Sequence, residues 1–121
     1  MVSTFQTILQ QTIANIPGAM GGVFSAFDGE LVAAHGTLAS EWDLFGAHYG
    51  VVLQGIQAAL HTLHFGDAQH IILEHRAVDV LIMAIHDGYY LVLATTSPMA
   101  IAQVLLHGAR AAAALRTEMG Y

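Results

Sequence analysis

The sequence predicts an α+β domain in which a five-stranded antiparallel sheet lies between helices, in the order helix, two strands, helix, three strands, helix. Three observations predict it. Two Asp-Gly pairs, Asp28-Gly29 and Asp87-Gly88, each separate short apolar runs. This is a strong hairpin signal, because glycine accepts the positive φ that a tight turn requires. The runs 78–85 and 90–94 are apolar at nearly every position, so both faces of the sheet must be covered. Finally, three longer segments repeat their apolar residues at the helical period.

The first helix is expected over 3–16, where Phe5, Ile8, Leu9, Ile13 and Ile16 share a face and Gln6, Gln10 and Gln11 do not. Pro17 and Gly18 stop it. A strand over 19–27 and its partner over 30–34 form the first hairpin, and Gly21-Gly22 inside the first strand invites a closely packed helix. Ser40 stands three residues before Asp43 in a capping-box-like pattern, which starts a long helix near Glu41 that runs to about Phe65 and is stopped by Gly66-Asp67.

Three stripes emerge along this helix at about 100° per residue. Trp42, Phe45, Tyr49, Val52, Ile56, Ala59 and Leu63, flanked by Leu53 and Leu60, form a bulky seam suited to packing on a sheet. Asp43, Gln54, Gln57, His61 and His64 form a wet face. Leu44, His48, Val51, Gly55, Ala58, Thr62 and Phe65 form a third stripe with a small middle, read as a second contact surface. Strands follow over 68–74, 78–86 and 89–95 as an antiparallel meander. Tyr89 and Tyr90 should split between surface and core. Ser97-Pro98 offers an N-cap and a first-turn proline to a last helix over 99–119.

At 121 residues the chain is one domain's length, 1–121, and can bury a core without staples. Hydrophobic residues make up 55% and charged residues 10%, against about 25% charged in an average protein. Some apolar surface is therefore expected to meet a partner. No apolar stretch approaches the roughly 20 uninterrupted residues of a membrane span. The start, Met1-Val2-Ser3-Thr4-Phe5, has neither a basic opening nor an apolar signal core, so the expected location is the cytoplasm. Cysteine and lysine are absent, which removes disulfides, thiolate chemistry, a Walker lysine and a lysine Schiff base. With a net charge of −6 and Arg76, Arg110 and Arg116 as its permanent cations, the chain lacks the basic footprint that nucleic acid requires.

The order and spacing of Ile16-Pro17-Gly18-Ala19, Gly22, Asp28-Gly29, Glu74 and Asp87-Gly88, with Tyr90-Leu91-Val92-Leu93 and the alanine-rich closing helix, resemble the roadblock/dynein light chain family. The resemblance is to its bacterial single-domain members that partner small Ras-like GTPases, and it covers nearly the whole chain. It implies a homodimer whose third strands pair edge to edge and whose second helices lie side by side. On that reading the interface holds Leu44, His48, Val51, Gly55, Ala58 and Thr62 on the helix, with Gln69, Ile71 and Leu73 on the strand. The segment 68–73 agrees, being a short, uncharged, β-branched edge without the proline that protects a free edge. The resemblance further implies a non-catalytic regulator or platform for a small GTPase. A contact face is expected near Glu41, Asp43, Ala47, Gly50, Gln54 and Gln57. The alternative is a purely structural dimerisation module in a signalling or motility assembly.

Other chemistry finds little support. His61 and His64, three apart on a helix, could share a metal, yet no third ligand is evident and Gln54 and Gln57 beside them favour a solvated face. Arg76 could serve as an arginine finger, but Glu74 and Asp79 nearby favour a weakly paired turn. Ser25 lacks the Gly-x-Ser-x-Gly elbow of a hydrolase. No cofactor is expected.

Overall fold

The computed structural model describes residues 4–37 and 41–121. Its elements are α1 (Thr4–Ala14), β1 (Ala19–Ser25), β2 (Leu31–Gly36), α2 (Trp42–Leu63), β3 (His70–Glu74), β4 (Val78–His86), β5 (Tyr89–Thr96) and α3 (Ile101–Met119). The strands form one antiparallel sheet in the order β2-β1-β5-β4-β3. The N-terminal hairpin thus docks beside the last strand, and β2 and β3 form the two edges.

Two cores follow from strand alternation. On one face, Phe24, Leu81, Met83, Leu91 and Leu93 meet Leu9 of α1 with Val104, Ala111, Ala112 and Leu115 of α3. On the other, Val23, Val80, Ile82, Tyr90 and Val92 meet Leu53 of α2. Tyr89 joins the first core only partly while Tyr90 is fully buried in the second, as the expected split requires.

Helix α2 approaches the sheet along Gly46, Gly50 and Leu53, its buried residues. The hydroxyl of Tyr90 donates to the Gly46 carbonyl at 2.9 Å, and a Cβ on Gly50 would collide with the Tyr90 hydroxyl. The expected bulky seam is therefore corrected. Trp42, Phe45, Tyr49 and Val52 flank the contact and are half-buried, whereas Ala59 and Leu63 face outward. A phenol that must reach a backbone carbonyl brings the helix in by its glycines, and bulky neighbours can only line the sides. Gly21 serves the same approach from the sheet, with Trp42 lying over it.

Of the two expected helix starts, that of α2 near Glu41 holds and that of α3 is corrected. The Ser40 cap lies outside the described residues, and α2 begins with Glu41 at its N-cap position without a side-chain cap. At α3 the N-cap position falls on Ala100, not Ser97. The segment before it is held instead by Asp79, a buried carboxylate that accepts from the N–H of Met99 at 2.9 Å and of His75 at 3.2 Å. One side chain thereby ties the β3–β4 turn to the start of α3.

Gly50→Ala would gain helix propensity of up to ~1 kcal/mol, but the new methyl meets a buried ring that cannot retreat. We expect a net loss of about 1–2 kcal/mol in urea denaturation. A Cβ on Gly55 meets nothing within 4 Å among the described residues, so the two glycines of α2 differ in what their own chain allows.

Candidate functional site

Two adjoining features stand out on the side of the sheet that carries α2. The first is the outward half of that helix. Leu44, Val51, Leu63 and Phe65 are 63%, 70%, 56% and 75% exposed, and His48, Gly55, Ala58 and Thr62 lie between them at the surface. All seven residues of the predicted small-centred stripe are thus exposed, an apolar band without a partner among the described residues.

The second is the open edge of β3. Its inner side pairs with β4 in the register Ile71↔Ile82 and Leu73↔Val80, and Ala84 N–H donates to Gln69 O at 3.0 Å while His75 N–H donates to Val78 O at 3.2 Å. Backbone groups alternate direction along an antiparallel strand. Gln69, Ile71, Leu73 and His75 therefore spend theirs on β4, and those of His70, Ile72 and Glu74 point away from the sheet. Ile71 and Leu73 are half-buried beneath the α2 side, while Gln69 is exposed.

Ring contacts link the flank of α2 to the turn after β3. Trp42, Phe45 and Tyr49 follow one another along α2 with centroids 5.5 and 5.0 Å apart, and Tyr49 stands edge-on to His75, its hydroxyl 3.3 Å from Nε2. Burial raises the Tyr49 pKa. Burial likewise raises that of Tyr90, with Ser25 beside it acting in the opposite direction.

The expected partner-contact residues do not share one character. Glu41 and Asp43 are exposed at the start of α2. Ala47 is half-buried against Gly29 in the β1–β2 turn. Gly50 is a correction: it is buried over Tyr90 and offers no surface. Gln54 donates to the Phe27 carbonyl. Gln57 is half-buried and spends its whole amide on Ala68, receiving from the Ala68 N–H at 2.7 Å and donating to its carbonyl at 3.0 Å. Hydrophobicity carries no signal for such a clamp.

The histidine pair also changes its meaning. Helix α2 ends at Leu63, and His64 adopts a left-handed conformation with φ 59°, so it leaves the helical face that His61 occupies. His61 Nε2 meets Asp67 Oδ1 at 2.8 Å instead. Among the described residues, no group of three or more metal-ligating side chains gathers. Arg76 stands exposed in the turn, as the solvated-turn reading expects, but Asp79 is buried and its carboxylate is taken by backbone N–H groups. No described helix is long and apolar enough to cross a membrane.

No protein-family model matches this sequence, and no curated protein matches it. Solved structures do. A roadblock/LC7 domain from Streptomyces avermitilis superposes with a TM-score of 0.91 over 98% of this chain and 100% of its own, at 15% identity. Myxococcus xanthus MglB gives 0.89 over 97% and 95%, at 9% identity. MglC from the same organism gives 0.68 over 96% and 99%, at 25% identity. The chain has the roadblock/LC7 fold, as its element order and sheet predict.

Asp79→Ala should lower stability by about 2 kcal/mol, since the buried Met99 N–H loses its acceptor while the His75 N–H keeps the Val78 carbonyl. Urea denaturation measures this directly, and a loss below ~1 kcal/mol would deny Asp79 its anchoring role.

Proposed function

We propose that this chain is a non-catalytic, homodimeric platform or regulator for a small Ras-like GTPase. The observation that carries the dimer is the continuity between the unpaired β3 edge and the exposed apolar band of α2. Each feature alone is a liability: a free apolar edge invites pairing, and an apolar band of this breadth invites association. A two-fold axis beside β3 disposes of both together, because it sets strand against strand and helix beside helix in an isologous contact. Leu44, His48, Val51, Gly55, Ala58 and Thr62, with Gln69, Ile71 and Leu73, form that interface.

The GTPase reading rests on the roadblock fold and on the resemblance to bacterial GTPase partners. Glu41 and Asp43, exposed at the helix start, supply its acidic contacts, with Gln54 beside the β1–β2 turn. The net charge of −6 favours a partner with a basic face. Any effect on hydrolysis would act by positioning the GTPase's own groups, and its place of action would be the cytoplasm.

Two measurements test this reading. Ala58→Glu places a charge on the exposed band, so the helix should form unchanged by circular dichroism while burial of two unpaired carboxylates weakens the dimer at least ~tenfold. Sedimentation showing an unchanged dimer would remove the interface. Capture from the protein's own cell extract, with GTP analogue and GDP in parallel, should recover a Ras-like GTPase in a nucleotide-dependent way. Recovery of other proteins irrespective of nucleotide would point to a structural scaffold instead.

A further inference from the structure

We propose that two copies pair through β3 in a single register centred on Ile72, and that Gln57 is the residue that fixes it. This rests on the homodimer reading and adds to it the register and its cause.

The backbone leaves few choices. Only His70, Ile72 and Glu74 direct their N–H and C=O outward, so these residues must face one another across a two-fold axis. Centring on Ile72 sets Ile72 against Ile72 of the partner subunit and His70 against Glu74 of the partner subunit. Every outward group is then paired, and the facing side chains at the ends are a histidine and a carboxylate rather than two of a kind. Ile71 falls opposite Leu73 of the partner subunit on the α2 side.

The neighbouring registers differ by two residues in either direction. Sliding one way sets Glu74 against Ala68 of the partner subunit, but both backbone groups of Ala68 are already taken by the Gln57 amide. That amide binds Ala68 as an adjacent strand would, closing the edge two residues before His70. Sliding the other way sets His70 against Arg76 of the partner subunit, which lies in the bend beyond the strand and has no extended backbone to pair. Gln57 thus blocks one slip and the β3–β4 turn blocks the other. Without such a stop a short strand slips readily, because register is weakly specified by few side chains.

Disulfide trapping reads the register directly, since the natural chain has no cysteine. In the proposed register the two copies of residue 72 have Cα atoms ~5.5 Å apart, within disulfide reach, while those of residue 71, or of residue 73, are ~8 Å apart and out of reach. Ile72→Cys should therefore cross-link under mild oxidation, and Ile71→Cys and Leu73→Cys should not. Residue 71 meets its own copy only in the register that Gln57 blocks. Adding Gln57→Ala to Ile71→Cys should therefore raise its cross-linking by about fivefold, through the freed backbone pair of Ala68.

Faster cross-linking of Ile71→Cys or Leu73→Cys than of Ile72→Cys would overturn the register while leaving the β3 dimer standing. No cross-linking by any of the three, in variants that still sediment as dimers, would overturn the β3 interface itself. An Ile71→Cys rate untouched by Gln57→Ala would overturn the assignment of Gln57.

Discussion

The position of helix α2 depends on one contact, the Tyr90 hydroxyl against the Gly46 carbonyl with Gly50 directly above the ring. A buried phenol needs a hydrogen-bond partner, and the carbonyl that supplies it lies on the helix itself. Only a side-chain-free surface allows the ring's end so near, and two glycines one turn apart provide it. The helix is thereby fixed in rotation as well as in distance. Gly46, Gly50 and Leu53 face the sheet, and the opposite band from Leu44 to Phe65 is turned to the surface. The features that suggest an interface are consequences of a tyrosine in the centre of the sheet.

The same placement explains how the strand edge is left open at one end and closed at the other. Helix α2 lies chiefly over β1, β2 and β5, and among the described residues no strand pairs with the outer side of β3. Gln57 follows Leu53 by about one helical turn on the sheet-facing side, which brings it to the chain as it enters β3. Its amide satisfies Ala68, whose N–H and C=O would otherwise extend the free edge. A side chain with one donor and one acceptor in a plane is suited to this, since it reproduces what a neighbouring peptide unit presents.

Much of the fold was legible because it is written in patterns with strong local causes. Asp28-Gly29 and Asp87-Gly88 both close hairpins, with Gly29 and Gly88 at φ 86° and 85°. The continuous apolar runs of β4 and β5 proved to be central strands covered on both faces. The exposed stripe of α2 was legible for a similar reason, because it was neither bulky enough for the core nor charged enough for solvent. Reading failed where polarity or size was a poor guide to contact. Gly50 seemed to be surface because glycine carries no hydrophobic signal, yet it marks the closest approach of helix to sheet. Asp79, expected with Glu74 in a solvated turn because carboxylates are seldom buried, lies inside, where two backbone N–H groups meet it. Leu63 followed the apolar period past the point where the helix still has a sheet beneath it.

Fold alone leaves function open, because one scaffold can carry many sites. What distinguishes this chain is the chemistry of its open side. A surface meant only for water would break the band from Leu44 to Phe65 with charge and would protect β3 with lysine or proline, the usual defences of an edge. Here the strand offers three outward backbone positions, bounded by Gln57 at one end and by the β3–β4 turn at the other. Aggregation would be served by a longer and unbounded edge, since open pairing propagates along a strand. A short edge with a stop at each end limits association to one partner in one alignment, which is the requirement of a closed two-fold assembly. The residues that stop the edge therefore argue for specific pairing more strongly than the apolar residues that invite it.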